Sequence, residues 1–335
     1  MRLRFRPPAA ALLAGAVALT IGLTACGGNG AGAGGSDILL RLNFNIDASS
    51  APFFLARERG YYEEAGLNVQ IEAGRGSLVT AQTVSSGQDD FGYITVDAAI
   101  NAITQDPRMT IVAALGRTGP YNVVHHPGVV IDEVEDLFDM HVLSNPNIPQ
   151  TPVMFGLIRS KGLNPDDLNV TFLDFAAYAG VYQDDPTAVI LGRPGDQDVR
   201  FKSIDDVQSV TYSDLGLNFY GNSIVTQTSR IEQDPDSVRG FVQASVRGWE
   251  ESIADPEAAI DALLKNHPEA GEREILLQEL DAALRLTAGM GDSEMKVKPI
   301  DPQMFAEQVE FMVQYMDMGQ PSIDLTEYYT NEFLQ

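Results

Sequence analysis

Three stretches of this chain place small polar side chains and backbone amides directly after short apolar runs. Residues 43–50 read Asn-Phe-Asn-Ile-Asp-Ala-Ser-Ser, residues 74–77 read Gly-Arg-Gly-Ser, and Thr95 and Asp97 flank Val96. Each follows a strand pattern and precedes a helix pattern. At such a turn the first helical N–H groups have no partner within the helix. They can hold a polar or anionic group, and Ser, Thr or Asp side chains can cap them. Asn43, Asn45, Ser49 or Ser50, Gly74, Arg75, Ser77, Thr95 and Asp97 are therefore candidate contact residues. In plain structural terms the same serines, Thr95 and Asp97 need only cap their helices.

This chemistry is binding rather than turnover. No phosphate loop, no Gly-x-Ser-x-Gly elbow and no His-Glu-x-x-His stands in the sequence. His125-His126 is the one tempting metal pair, but adjacent strand residues face opposite sides. His141 and His267 have no ligand spacing. Asp89-Asp90, Asp166-Asp167 and Asp184-Asp185 sit in polar turns and read as solvated. No metal and no cofactor is expected.

The elements that must position these residues follow a regular order. Residues 38–44 form a strand, and a helix over 53–59 starts at Pro52 and stops at Gly60. A further helical turn, 61–65, closes at Gly66. Strands are expected at 67–73, 91–95 and 109–115, with helices at 78–86 and 97–104 between them. Strands alternating with helices imply a parallel sheet, whose carboxyl edge collects the three polar turns. From Tyr121 a second α/β lobe is expected. It has strands at 121–124, 129–131, 141–144, 169–173, 187–191 and 207–212, and helical segments at 132–139 and from Thr151-Pro152 to Gly162. A strand over 220–226 leads back. A helix over 235–253 then puts Val238, Phe241, Val242, Ser245, Trp249 and Ile253 on one face, so Trp249 is read as core. Helices at 272–286 and through Phe305, Val309, Met312, Val313 and Met316 complete the pattern, with the methionines as core filler.

The ends and the charge bound the setting. Arg2, Arg4 and Arg6 precede an apolar run over 9–23, too short to span a bilayer comfortably. It ends Leu-Thr-Ala-Cys, which resembles a bacterial lipobox, with Cys26 as the lipidated residue after removal of residues 1–25. Residues 26–36, rich in Gly and Ala, are a flexible tether. Cys26 is the single cysteine of the chain, so no internal disulfide can form. The chain carries 22 Lys and Arg against 47 Asp and Glu, a net charge of −25. Loss of three leader arginines leaves 19 against 47, or −28. Nucleic acid is excluded as a partner at that charge. A surface poor in Lys and rich in acids fits a salty habitat or plain solubility.

Residues 55–67, Leu-Ala-Arg-Glu-Arg-Gly-Tyr-Tyr-Glu-Glu-Ala-Gly-Leu, resemble the opening of type II periplasmic solute-binding proteins. The resemblance is to the group that includes thiamine-pyrimidine, alkanesulfonate and nitrate binders. Residues 235–259 and the ending around residues 328–333 are similar to the same group. Residues 174–210 depart from it, and the loop Gly192-Arg193-Pro194-Gly195-Asp196 has no counterpart in the pattern. The resemblance implies an α/β, two-lobed fold of mostly parallel sheets with a cleft between the lobes. Residues 37–120 and 222–335 would form one lobe and 121–221 the other. It also implies a monomeric lipoprotein on the outer face of the cell membrane, handing a small solute to an ABC permease and its ATPase. The alternative class is a pyrimidine-synthesising enzyme of the same fold, which uses a Cys-rich iron motif that this chain lacks. A ligand-presenting sensor is a third class.

Within that fold the cleft candidates are Asn43, Phe44, Asn45, Ser50, Gly74, Arg75, Ser77, Thr95 and Asp97, with Tyr121, Asn145, Tyr178 and Tyr220 from the crossings and the second lobe. Flat rings and amides favour an aromatic nitrogen heterocycle, such as a thiamine-pyrimidine precursor or a flavin. Arg75 as an anion clamp would favour a sulfonate or nitrate instead. Phe44 and Ser50 stand where pyrimidine binders often carry Trp and His.

Overall fold

The computed structural model describes residues 35–145, 148–203, 206–288 and 294–334. Cys26 and the expected leader lie outside the described residues. Among the described residues, ten strands build two five-stranded sheets. The chain first lays down β1 (Ser36–Arg41), β2 (Leu67–Glu72), β3 (Phe91–Thr95) and β4 (Met109–Ala114). Ser36, counted with the tether above, already pairs with Leu67. The chain then crosses into β5 (Asn122–His125), β6 (His141–Ser144), β7 (Asn169–Phe172), β8 (Ala188–Gly192) and β9 (Gln208–Thr211), and returns with β10 (Asn222–Gln227).

The two sheets share one plan. The first runs β2-β1-β3-β10-β4 and the second β7-β6-β8-β5-β9. In each, three strands are parallel and the fourth position is filled by the strand adjoining a crossing, antiparallel to both neighbours. The burial of the strands explains the sequence pattern. β3, β4, β5 and β8 are buried throughout and read as near-continuous apolar runs. β2, at an edge, alternates buried Leu67, Val69 and Ile71 with exposed Asn68, Gln70 and Glu72.

Helices cover the sheets: α1 (Ala51–Glu58), α2 (Tyr61–Glu64), α3 (Ser77–Ser85), α4 (Val96–Gln105), α5 (Gln150–Ser160), α6 (Phe175–Asp184), α7 (Gln197–Arg200), α8 (Thr228–Gln233), α9 (Pro235–Ala254), α10 (Pro256–Asn266), α11 (Arg273–Arg285) and α12 (Pro302–Tyr315). Gly60 ends α1 at φ +75, a left-handed conformation that costs glycine nothing. α9 packs on α1 so closely that a Cβ on Gly248 would sit 2.6 Å from the Pro52 carbonyl oxygen. Trp249 is buried in this core, edge-on to Phe53 at 6.1 Å, and its indole N–H donates to the Thr287 hydroxyl at 2.8 Å. α12 packs against α5 and α4, so the C-terminal part also braces the second lobe; Met316 lies against Gly156.

Several local expectations change. Asp89 is not solvated but buried against the Arg41 guanidinium, and Asp90 pairs with Arg230. Residues 129–131 are not a strand: Pro127-Gly128 makes a tight turn, with Gly128 at φ +82 and the Val129 N–H donating to the His126 carbonyl. Residues 132–139 hold only the 3-10 segment Val134–Asp139. α6, α7, α8 and α10 stand outside the expected pattern; α6 buries only Tyr178 and Tyr182, too few to set a clear apolar period. Finally, among the described residues no serine caps a helix through its side chain: Ser50 holds the N-cap position of α1 without a side-chain bond, and Gly76 rather than Ser77 precedes α3.

Candidate functional site

The carboxyl ends of all six parallel strands, three from each sheet, open into one cleft. Asn43 to Asp47 follow β1, Arg75 to Ser77 follow β2, and Thr95 ends β3. Across from them Asn145 follows β6, Asp174 and Phe175 follow β7, and Arg193 follows β8. This is the edge at which open α/β sheets bind ligands. The cavity is about 1130 Å³. A smaller one of about 30 Å³ lies beside Trp249 and Tyr93 and shares Asp47, Pro120, Arg193 and Asn222 with the cleft.

The capping of the first turn differs from expectation. Asp47, with extended backbone, caps the turn Ala48–Ser50: its Oδ1 accepts from the Ser49 N–H at 2.9 Å and from the Ser49 hydroxyl at 2.6 Å. Ser50 is buried and donates to the Asp47 carbonyl at 2.7 Å. At the second turn Gly76 holds the cap position at φ +115, and Ser77 instead accepts the Thr95 N–H at 3.3 Å. Thr95 caps α4 without a side-chain bond to its N–H groups. Asp97 is spent on the Tyr121 hydroxyl, 2.8 Å away. Burial raises the Asp97 carboxyl and lifts the Tyr121 phenol well above its usual range. That buried bond ties the first crossing to α4.

Of the sequence-derived candidates, Asn43, Phe44, Asn45, Arg75, Ser77, Thr95, Tyr121, Asn145 and Tyr178 line the cleft. Ser50, Gly74, Asp97 and Tyr220 do not. Gly74 is where the chain passes itself: a Cβ there would lie 1.8 Å from the Leu42 carbonyl oxygen. Tyr220 is buried in the second crossing, and its hydroxyl accepts the Asp301 N–H at 2.7 Å.

Phe175, Gln197 and Asn222 line the cleft without a signal in the sequence. Phe175 stands 47% exposed at the mouth, edge-on to Tyr178 at 5.5 Å, while Phe44 stands 48% exposed on the other lobe. The Tyr178 hydroxyl, the Gln197 Oε1 and the Asn222 Oδ1 are buried without a hydrogen-bond partner. A Cβ on Gly192 would meet the Gln197 Oε1 at 2.8 Å and the Asn122 Oδ1 at 2.9 Å, so only glycine lets these amides converge. Unpaired polar atoms gathered around one cavity are the feature expected of a hydrogen-bonding ligand site.

Charge in the cleft is paired across the lobes. Arg193 Nη2 donates to Asp47 Oδ2 at 2.9 Å. Burial pushes the Asp47 carboxyl up, but Arg193 and Ser49 outweigh it and hold it below its ordinary value. Arg200 Nε lies 2.9 Å from Asp196 Oδ1, and its Nη2 lies 3.1 Å from Glu279 Oε1 on α11. The loop carrying these arginines rests on α11; Gly195, at φ +87, would place a Cβ 2.8 Å from the Glu279 carbonyl oxygen. This loop, without a counterpart in the sequence pattern, is thus the second lobe's grip on the first. Around the cleft stand Asp47, Asp174, Asp196 and Glu269 against Arg75, Arg193 and Arg200. The acids outnumber the arginines, so the wall carries no net positive field.

Two α/β lobes of one strand plan, joined by two crossings and facing each other across a polar and aromatic cleft, define a periplasmic-binding-protein fold. The periplasmic aliphatic sulphonate binding protein SsuA from Escherichia coli superposes with a TM-score of 0.69 at 14% identity, covering 90% of this chain and 99% of that one. The periplasmic nitrate-binding protein NrtA from Synechocystis PCC 6803 gives 0.62 at 14% identity, covering 90% and 87%. Among curated proteins, the riboflavin-binding protein RibY of Chloroflexus aurantiacus is 23% identical over 302 residues, 89% of this chain and 86% of that protein. A formylaminopyrimidine-binding protein of Halalkalibacterium halodurans is 22% identical over 231 residues, 68% and 69%. The family model described as NMT1/THI5 like matches residues 47–259, and the chain belongs to that family.

Proposed function

We propose that this chain is the extracytoplasmic substrate-binding component of an ABC importer, and that its cleft takes an uncharged, flat nitrogen heterocycle of flavin size. The observation that carries this is the state of the cleft arginines. The two inner ones, Arg193 and Arg200, already face carboxylates, while unpaired amides and a phenol remain to meet a ligand. Phe44 and Phe175, exposed on opposite lobes, supply flat faces for a ring. A cavity of about 1130 Å³ leaves a single pyrimidine ring loosely held. The riboflavin-binding relative, matched over most of both chains, supports the same choice.

In this reading the protein turns nothing over. It acts as a monomer, anchored through Cys26, and passes its solute to a permease and ATPase. Ligand contacts with both lobes favour the closed form. A second reading, an alkanesulfonate or nitrate, rests on Arg75, which is exposed at the rim with no ion pair among the described residues. Thermal-shift titration with riboflavin, formylaminopyrimidine, ethanesulfonate and nitrate separates them, since a ligand raises stability with the logarithm of its concentration above Kd. Riboflavin should raise the midpoint, with quenched flavin fluorescence. A response to the anions alone, abolished by Arg75→Ala, would overturn the heterocycle assignment.

A further inference from the structure

We propose that Asp47 is the residue that closes this cleft to anions, by occupying the Arg193 guanidinium that an anionic ligand would otherwise use; this rests on the cleft being the ligand site. Arg193 is the half-buried cation that borders both the large cavity and the small inner one. It follows β8, one of the strands whose carboxyl ends form the cleft floor. A guanidinium there, partly shielded from water, is a strong site for a sulfonate or carboxylate, because charge-assisted hydrogen bonds gain strength as solvent is excluded. Asp47 fills that role internally. Its side-chain carboxylate is 18% exposed, is oriented by the two Ser49 bonds to Oδ1, and presents Oδ2 to Arg193 at 2.9 Å.

The division of labour between the two oxygens makes the charge separable from the fold. Asparagine at position 47 keeps a carbonyl oxygen for the Ser49 N–H and hydroxyl, so the first turn stays capped. Its other end is an amide donor that cannot hold a guanidinium. Asp47→Asn therefore leaves Arg193 as a cation facing the cavity. Arg193→Gln breaks the same interlobe pair but leaves no cation. Any effect of loosening the lobes is common to both variants, and an affinity for anions belongs to the first alone.

The test is isothermal calorimetry with ethanesulfonate and with nitrate on the full chain, its Asp47→Asn and Arg193→Gln variants, and the double variant. Asp47→Asn should bind ethanesulfonate roughly tenfold or more tightly than the unmodified chain. Arg193→Gln and the double variant should show no gain. Asp47→Ser, which also caps the turn, should reproduce the gain if the asparagine variant is poorly folded. The assignment is overturned if a folded Asp47→Asn or Asp47→Ser chain binds the anions no better than the unmodified one. It is overturned equally if the gain survives in the double variant. The heterocycle reading fails on a different result, namely no response of the unmodified chain to riboflavin or formylaminopyrimidine, whatever Asp47→Asn does with anions.

Discussion

Replacing Glu279 by Gln should stabilise this protein at neutral and alkaline pH. Glu279 lies on α11 under the loop that bridges the lobes, and its side chain is 8% exposed. Its carboxyl is pushed up to about 7, chiefly by burial. Arg200 opposes the rise, Asp47 and Asp196 add to it, and Arg193 again opposes it. An ordinary glutamate releases its proton near 4.5, so in the unfolded chain Glu279 ionises well before it does in the folded one. Below pH 4.5 both states are protonated and the group is neutral to stability. Between 4.5 and 7 the folded state holds more protons, and stability falls as pH rises. Above 7 the full penalty applies, about 3 kcal/mol at about 1.4 kcal/mol per pH unit. Glutamine carries no such penalty, and Arg200 keeps Asp196. Urea unfolding of both chains at pH 5, 6, 7 and 8 is the assay. The variant should gain up to about 3 kcal/mol at pH 8 and under about 1 kcal/mol at pH 5. A variant less stable than the parent at pH 8, or a difference that does not change with pH, would refute the argument.

Three further outcomes are expected. Phe44→Ala and Phe175→Ala should each weaken riboflavin binding several-fold, since a stacked ring contributes about 0.5–1.5 kcal/mol beyond its buried area; flavin fluorescence titration reads this. Tyr121→Phe removes the hydroxyl that donates to the Asp97 carboxylate at 2.8 Å, and should cost about 1–3 kcal/mol in urea unfolding, with a melting loss at pH 8 that narrows as Asp97 protonates in acid. Cys26→Ser should release the protein from the membrane fraction into the extracytoplasmic soluble fraction, and a variant that stays with the membrane would rule out the lipid anchor.

The strands of the first lobe were legible because their physics is local. Phe91–Thr95 and Met109–Ala114 are buried on every residue, and Gly60 and Gly87 stop helices from left-handed positions that other residues avoid. The same logic, polar turns after parallel strands, points to Asn43, Phe44, Asn45, Arg75, Ser77 and Thr95, which border the cleft, but also to Ser50, Gly74 and Asp97, which do not. The caps were not legible in this way. Ser50 and Asp47 sit three residues apart in one turn, and composition alone does not decide which side chain reaches the free N–H groups. The second-lobe wall was opaque for a deeper reason. Arg193 and Asp47 are 146 residues apart, and Trp249 and Asn222 edge the small cavity from yet other elements. Nothing local distinguishes an arginine that will be neutralised across a cleft from one that will clamp a ligand. In Gly192-Arg193-Pro194-Gly195-Asp196 the sequence displays a cation between two glycines, which is what an anion site also looks like. The difference lies in a carboxylate delivered by the other lobe, and only closure of the two sheets around one space brings it there.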